Sequence, residues 1–459
     1  MSVQRSRADV ASERRSVGSR IRGRLGSPPG ATTATPRALV VCTLFALLLP
    51  GCGQDAGQGT GAGSGDATSA AQATAGSTGA PAPPGLGVPA TAPPPARPAG
   101  LPTATSASIA ELNLDFSVAQ GRNFLRQQPR AGEAARALVA VLLLRARTRN
   151  TFVEDFDEAL SVARAITRAN AESPDGWLAL ASVQVALHQF TAARESVAMA
   201  ATRGAAVEDV QAQRNAISLA LGETRTAIDE IAGAARTRPT YATHNAHAIA
   251  LQELGRVADA DKAYAAALAA YDDVSPYAIG WVFFQRGVLW TDVDDAKARQ
   301  MYEYALTYLP DHITTNVHLA ELEHAAGATA KALARMERIV KLSSDPEPMG
   351  FLAELLVASG RTGAAQAWRS RARDGYAVLL DKHRLAFVDH ASEFYAGIGA
   401  DPALALRLAE ENLVNRKTRR AYDIALQAAD AAGAQARACA LVADARARGF
   451  AIEHAGCAG

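Results

Sequence analysis

The sequence is poor in aromatic residues and has no long apolar run. Phe, Trp and Tyr make up 6% of its 459 residues, whereas alanine is very common. Sheets concentrate aromatic and β-branched residues, so this composition favours closely packed helices. The apolar-dominated stretch at residues 38–49 would form a helical rod of about 18 Å, too short for a hydrocarbon core of about 30 Å. We therefore expect an all-α fold without a permanent membrane span.

Motifs that carry catalysis are also lacking. The sequence contains no G-x-S-x-G, H-E-x-x-H or G-x-x-x-x-G-K-[ST] pattern. His318, Glu321 and His324 follow one another at steps of three, which fans the side chains by roughly 60° per step on a helix and disfavours a shared metal ion. We expect these three residues to be solvated groove residues. For the protein as a whole we expect no metal, no cofactor and no enzymatic activity, and no titratable groups that converge in an apolar pocket.

A formal charge of +1 hides two unlike segments. Residues 1–51 carry eight arginines against Asp9 and Glu13, so the rest of the chain is net acidic. Nucleic-acid binding depends largely on neutralising phosphates with basic side chains. A nucleic-acid partner is therefore not expected.

The basic and apolar segments are followed by Leu49-Pro50-Gly51-Cys52. This string resembles the lipobox of bacterial lipoproteins, in which the cysteine is lipidated and becomes the first mature residue. The resemblance implies a signal peptide at residues 1–51 and a lipid on Cys52. Gly53, which is not aspartate, implies the outer membrane of the cell envelope, with the protein facing the periplasm. An ordinary signal peptide that ends near a cysteine is the alternative.

Residues 52–108 are dominated by Gly, Ala, Ser, Thr and Pro, with few charges. Such a segment cannot bury enough apolar surface to offset the entropy of ordering. We predict a disordered tether with a root-mean-square span on the order of 40 Å.

Beyond the tether, an alanine recurs at a nearly constant interval. Six of the eight intervals lie within one residue of 34, the length of a tetratricopeptide repeat. The nine positions are Ala159, Ala193, Ala227, Ala260, Ala298, Ala332, Ala365, Ala405 and Ala438. Glycine stands five residues earlier in five repeats, where a tight turn between helices needs positive φ.

The block Trp177-Leu178-Ala179-Leu180-Ala181, with Phe190 and Ala193, closely resembles the tetratricopeptide pattern. The resemblance implies an alpha-alpha superhelix of about nine repeats over residues 109–449, followed by a tail at 450–459. Its concave surface, lined by first helices, is the expected binding site. The two enlarged intervals are expected to be longer helices or loops.

Aromatic residues concentrate between Tyr277 and Tyr308. Phe283, Gly287 and Trp290 share one face of a predicted helix, and large aromatics in a groove are typical binding anchors. The longer repeat has more surface to cover, which favours the interpretation that both faces of this helix belong to the core. The alternative is that these three residues form a partner-binding patch.

Cys439 and Cys457 would lie outside the cytoplasm, in an oxidising space. Two interpretations remain open. The two cysteines could form a disulfide that joins the tail to the last hairpin, or Cys439 could be a buried thiol.

Together these features predict a membrane-tethered, non-catalytic scaffold that binds a protein or peptide in the cell envelope. The alternative from another class is a glycan-binding lipoprotein, or a carrier or regulator of a cell-wall enzyme, whose groove would hold sugar by aromatic stacking.

Overall fold

A computed structural model describes residues 100–457, and within that range the chain is entirely helical apart from its loops. Eighteen helices follow one another in this part of the chain. They are α1 (Ala107–Gln127), α2 (Gly132–Arg149), α3 (Phe152–Ala169), α4 (Pro174–Ala186), α5 (Phe190–Thr202), α6 (Val207–Leu221), α7 (Thr224–Thr237), α8 (Tyr241–Glu253), α9 (Val257–Ala269), α10 (Pro276–Trp290), α11 (Asp295–Tyr308), α12 (Ile313–Ala325), α13 (Thr329–Ile339), α14 (Pro346–Ala358), α15 (Thr362–Ala396), α16 (Pro402–Asn415), α17 (Arg419–Ala431) and α18 (Gln435–Ala447). None of these helices is both long and apolar enough to cross a membrane.

From α2 onward, consecutive helices pack as hairpins, and each hairpin packs on the next. The predicted all-α superhelix of helical hairpins is therefore confirmed. We number the hairpins 1 to 9, from α2 with α3 to α17 with α18; α15 supplies the second helix of hairpin 7 and the first helix of hairpin 8. A single hairpin cannot cover its own apolar face, so stacking is what buries it.

The recurring alanines explain how closely the helices approach. Every one of the nine lies in the second helix of its hairpin, and none is more than 7% exposed. A methyl side chain lets the neighbouring backbone come near without leaving a void. The alanines that recur in the sequence therefore mark the positions where neighbouring helices pack closely.

Turns inside the hairpins use positive φ, which glycine adopts without strain. Gly222, Gly327 and Gly360 have φ of 82°, 82° and 73°. Two repeats place other residues at the same position, because His188 and Ala400 also stand five residues before their alanines and have φ of 54° and 53°. The turn geometry is thus kept where the glycine is missing.

The longest interval, which precedes Ala405, is taken up by α15. This helix of 35 residues bends at His383, where φ is −138° and ψ is 51°. One helix therefore ends and the next begins without an intervening loop, which agrees with the expected longer helix.

The N-terminal segment packs against hairpin 5. Ala110 and Leu114 of α1 share a core cluster with Tyr277 and Phe283 of this hairpin. The hydroxyl of Tyr308 also donates a hydrogen bond of 2.7 Å to the carbonyl of Pro102. The residues just before α1 and part of its apolar face are thereby fixed to the middle of the stack.

Early and late hairpins also touch. Nδ1 of His188 lies 3.0 Å from the carbonyl oxygen of Leu385, and Nδ2 of Asn415 donates a 3.0 Å hydrogen bond to the carbonyl of His188. Farther along, Arg225 donates to the carbonyl of Gly449 at 2.9 Å. Hairpins 2 and 3 therefore close onto hairpins 8 and 9, and we call this set of contacts the closing contact.

The C-terminal tail covers the last hairpin in place of a capping helix. Ile452 is 3% exposed, and the ring of Phe450 packs 5.8 Å from that of Tyr422. Nε2 of His454 lies 2.9 Å from a carboxylate oxygen of Asp430. The apolar end of the stack is thereby shielded from water.

Gly222 gives a direct test of the closing contact. A Cβ at this position would lie 2.3 Å from the carbonyl oxygen of Lys417, whereas one at Gly327, with the same φ, would meet nothing within 4 Å. We expect Gly327→Ala to lower the free energy of unfolding by about 1 kcal/mol through backbone strain alone. Gly222→Ala should lower it by about 2 kcal/mol or more, because strain and the clash add. Urea denaturation of both variants measures the difference, and equal losses would show that the contact contributes nothing.

Candidate functional site

The predicted patch of Phe283, Gly287 and Trp290 is not an open surface. Phe283 is 2% exposed, and its ring packs 5.4 Å from Tyr304 and 5.9 Å from Tyr308. A Cβ on Gly287 would lie 2.3 Å from the ring of Tyr302, so the glycine is needed for close packing. The patch hypothesis is therefore wrong for these two residues, and the core interpretation is confirmed for them.

Trp290 is half-buried at the edge of that core. Its Nε1 donates a 3.0 Å hydrogen bond to Asp261, and Nζ of Lys297 lies 3.5 Å from the ring centre. Asp261 also pairs with Arg286 at 2.8 Å. Trp290 thus has its polar atom and one ring face occupied by residues of its own chain.

The His318, Glu321 and His324 series does not converge on one point. His318 is fully buried and stacks on Tyr302, which corrects the expectation of a solvated groove residue. Its Nδ1 lies 3.1 Å from Glu321, while Nδ1 of His324 lies 2.9 Å from the hydroxyl of Thr329. Across residues 100–457, no group of three or more His, Cys, Asp or Glu side chains is placed to hold a metal ion.

Cys439 and Cys457 form a disulfide in the structure, with their Cα atoms 5.2 Å apart. The bond joins the last helix to the tail that covers it. Cys439 is half-exposed, so the alternative of a buried thiol does not describe it. Cys52, the predicted lipid attachment site, lies outside the described residues.

A cavity that is partly open to solvent lies between early, middle and late hairpins. About 680 Å³ around it is free of protein atoms, and this figure includes space continuous with bulk solvent. Its lining comes from early, middle and late parts of the chain. The residues are Arg147, Asn150, Phe152, Phe156, Trp281, His312, Thr314, Asp345, Glu347, Tyr376, Leu379, Ala386, Phe387 and His390. Five of them carry aromatic rings other than histidine, so the cavity has apolar walls with polar groups at defined places.

The polar side of the cavity is built at the start of α14. Asp345 caps this helix by accepting a 3.1 Å hydrogen bond from the backbone N–H of Glu347. Its other oxygen accepts a 2.5 Å hydrogen bond from Nδ2 of Asn150. Asn150 ends α2 with φ of 54°, a left-handed conformation that asparagine tolerates. A helix start and a helix end, distant in sequence, thus form one polar cluster.

The two carboxyl groups of this cluster have different proton affinities. Burial, and then the nearby charge of Glu347, raise the pKa of Asp345 to about 6. Burial also disfavours the charged form of Glu347, but His390, whose Nδ1 lies 3.7 Å from Oε2, outweighs it and lowers the pKa of Glu347. The cavity therefore holds a carboxyl group that titrates near neutral pH.

Trp281 and Asn150 each bring a buried polar atom to the lining that has no hydrogen-bond partner among residues 100–457. Nε1 of Trp281 can only donate, and Oδ1 of Asn150 can only accept. An unpaired buried polar group costs free energy that a matching group recovers. A ligand that offers an acceptor and a donor would supply what both atoms lack.

Behind the cavity, α15 leads into a buried ionic network. Asp389 forms an ion pair with Arg416, and Glu393 lies 2.7 Å from Arg420. Burial opposes ionisation of Asp389, but the charges of His390 and Arg416 lower its pKa. The pKa of His188 falls to about 3 through burial and then through the charge of Arg416, so this histidine is neutral at pH 7. The network ties the cavity wall to the closing contact.

The sequence analysis missed this site. It expected no titratable groups in an apolar pocket, whereas Asp345, Glu347 and His390 meet in one. Asp345 followed by Pro346 is a recognisable start of a helix, since proline is favoured at the first helical position. No local pattern, however, places that helix start against Asn150, which is 195 residues away.

No family model matches this chain, and no curated protein matches it either. Among solved structures, a complex of Naa15/Naa10 bound to HypK-THB matches at 12% identity with a TM-score of 0.25, covering 72% of this chain and 60% of that one. The chain thus spans 60% of the length of that protein. The human IFIT1 dimer with PPP-AAAA matches at 12% identity with a TM-score of 0.40, covering 74% of this chain and 91% of that one. At these values the comparisons support no inference about function.

Phenylalanine truncations distinguish core from surface. Phe283→Ala should lower the free energy of unfolding by about 3–5 kcal/mol, as expected for a large core side chain. Phe116 provides the matched control because its side chain is 63% exposed, and Phe116→Ala should change the value by about 0.5 kcal/mol or less. Chemical denaturation followed by circular dichroism measures both. Similar values for the two variants would contradict the burial of Phe283.

Proposed function

We propose that this chain is a non-catalytic scaffold of the bacterial cell envelope that binds a peptide segment of a protein partner in its internal cavity. The observation that carries the proposal is the cavity itself. It is lined by the starts of two first helices, at Thr314 and Glu347, and by helices from both ends of the stack. A partner bound there would contact early, middle and late hairpins at once.

The lining suits a peptide in several respects. Trp281 can donate to a peptide carbonyl, and Oδ1 of Asn150 can accept from a peptide N–H. Rings such as Phe387 and Tyr376 offer apolar area to a side chain. Aromatic residues in partly closed pockets are typical binding anchors.

The carboxyl groups already have structural partners, which favours binding over catalysis. Asp345 caps a helix and accepts from Asn150, and Glu347 faces His390. A general acid or base must be free to exchange a proton with a substrate. We therefore keep the non-catalytic assignment as part of the proposal.

A glycan is the second candidate ligand. Trp281 and the nearby rings could stack on a sugar face, and carboxylates such as Glu347 could accept hydrogen bonds from hydroxyl groups. Pull-down from solubilised envelopes, compared with binding to a glycan array, separates the two candidates. Capture of a defined protein that survives glycosidase treatment favours the peptide.

The tether forms the other half of the proposal. A lipid on Cys52 would hold one end, and residues 53–100 would set how far the scaffold reaches from the outer membrane into the periplasm. Residues 101–108, which were predicted to be part of the tether, instead pack on hairpin 5 or begin α1. Stable anchoring requires more than one acyl chain, because a single chain binds only marginally.

Replacing the predicted lipidated cysteine tests the tether. Cys52→Ala should move the protein from the membrane fraction to the soluble periplasmic fraction, because neither the diacylglycerol nor the new amino-terminal acyl group can be added. Cys42→Ala, ten residues earlier in the sequence, should leave the protein in the membrane fraction. Fractionation and intact-mass measurement of the mature protein read out both variants. Membrane association that survives Cys52→Ala would exclude this anchor.

Filling the cavity tests the binding site. Thr314 is half-exposed on the lining, so Thr314→Trp should occupy the space and reduce capture of the envelope partner about tenfold or more. Thr307 is half-buried outside the lining, and Thr307→Trp should retain capture. Crosslinking in cells followed by mass spectrometry identifies the partner and quantifies its recovery, and circular dichroism verifies the fold of each variant. Equal recovery with both variants would place the binding site elsewhere.

A further inference from the structure

Building on the proposed cavity binding, we propose that the cavity recognises an organic ammonium group, presented by the partner as a lysine side chain or a free amino terminus. Asp345 and Glu347 provide the negative charge, and the surrounding rings provide the walls. The inference names the chemistry of the bound group and goes beyond the statement that a peptide binds.

Within residues 100–457, the hydrogen-bond partners of Asp345 are neutral. Its two oxygens accept from the N–H of Glu347 at 3.1 Å and from the amide of Asn150 at 2.5 Å. The ion pairs of His390, the nearest histidine, join it to Glu347 and Asp389. A buried carboxylate without a cation is costly, and a ligand cation would remove part of that cost.

The proximity of two acidic groups further favours the binding of a cation. Glu347 lies two residues after Asp345 and shares the cavity with it, and burial together with the charge of Glu347 raises the pKa of Asp345. His390 faces Glu347, not Asp345, at 3.7 Å. An ammonium group near Asp345 would therefore meet a carboxylate that is hydrogen-bonded to neutral groups and is only partly balanced by the charge of His390.

The walls also suit a cation. Trp281, Tyr376 and Phe387 line the same space, and Phe387 lies 5.3 Å from Phe152, ring centre to ring centre. Aromatic faces attract ammonium groups, most strongly in tryptophan. Carboxylates beside aromatic rings should therefore bind an ammonium group more tightly than a neutral group of the same shape.

Arg147 limits which cations fit. It lines the cavity from the last turn of α2 and adds a positive charge there. A bare cation would be repelled by it, whereas carbonyl or carboxylate oxygens next to the ammonium group of a ligand would bring negative charge toward Arg147 and reduce the repulsion. Lysine within a peptide and an amino-terminal residue both meet this condition.

Four peptides of one length and sequence separate the two sources. One carries a central lysine with an acetylated amino terminus, and the second replaces that lysine with norleucine. The third has norleucine and a free amino terminus, and the fourth has acetyl-lysine and an acetylated terminus. Binding to the detergent-solubilised full-length protein is measured by calorimetry. We expect the lysine or the free-terminus peptide to bind about tenfold more tightly than its neutral counterpart, as for a charge-assisted hydrogen bond.

Asp345→Asn removes the charge while retaining the helix cap, because asparagine caps helices as well as aspartate does. The amide of Asn150 can turn its unpaired Oδ1 toward the new amide, so the cluster can stay paired. The preference for the ammonium peptide should disappear in Asp345→Asn and weaken in Glu347→Gln. Asp381 is an exposed acidic residue outside the lining, so Asp381→Asn is the control with the same change in net charge. This variant should retain the preference for the ammonium peptide.

Equal binding of charged and neutral peptides to the unmodified protein would overturn the ammonium proposal, and so would no binding of any peptide at millimolar concentration. Persistence of the preference in Asp345→Asn would do the same. None of these results removes the proposed function, which depends on partner capture and its loss in Thr314→Trp. Failure of that capture test with an intact ammonium preference would instead leave a cavity that binds small amines.

Discussion

The closing contact between early and late hairpins is the constraint on which the rest of the structure depends. His188 stands at its centre, with its ring nitrogen against Leu385 and its carbonyl bonded to Asn415. A stack of hairpins that touched only their neighbours would leave the inner surface open to water. Because early and late hairpins meet, that surface includes a cavity with a defined lining.

The closing contact contains polar as well as apolar groups, and His188 is one of the polar ones. Its left-handed turn replaces the glycine of other repeats and points an imidazole toward α15. The buried pair of Asp389 and Arg416 lies next to it, and the pKa of His188 is low enough that the ring stays neutral there. Breaking such a buried pair leaves an uncompensated charge, so the arrangement favours one geometry of closure over neighbouring ones.

The architecture of the chain was largely predictable, whereas the site was not. An interval near 34 and alanines such as Ala193 identify hairpins, because spacing within a helix and between helices is a local property. The aromatic cluster around Phe283 could be either core or binding patch, because a helical pattern gives the period of its residues but not which face meets a neighbour. The contact between Asp345 and Asn150 could not be predicted for a related reason. It depends on how successive hairpins are oriented relative to one another along the stack, which no local pattern specifies.

The cavity also has a physical reason to remain unfilled by the protein's own side chains. Capping α14 requires a short polar side chain, so Asp345 cannot be replaced by a large apolar residue without loss of the cap. Asn150 must hold a left-handed turn, which disfavours a bulky or β-branched residue. The requirements of ending one helix and starting another thus leave polar groups where early and late hairpins meet. A binding site results from the way these helices end, and its charge follows from the residue that caps α14.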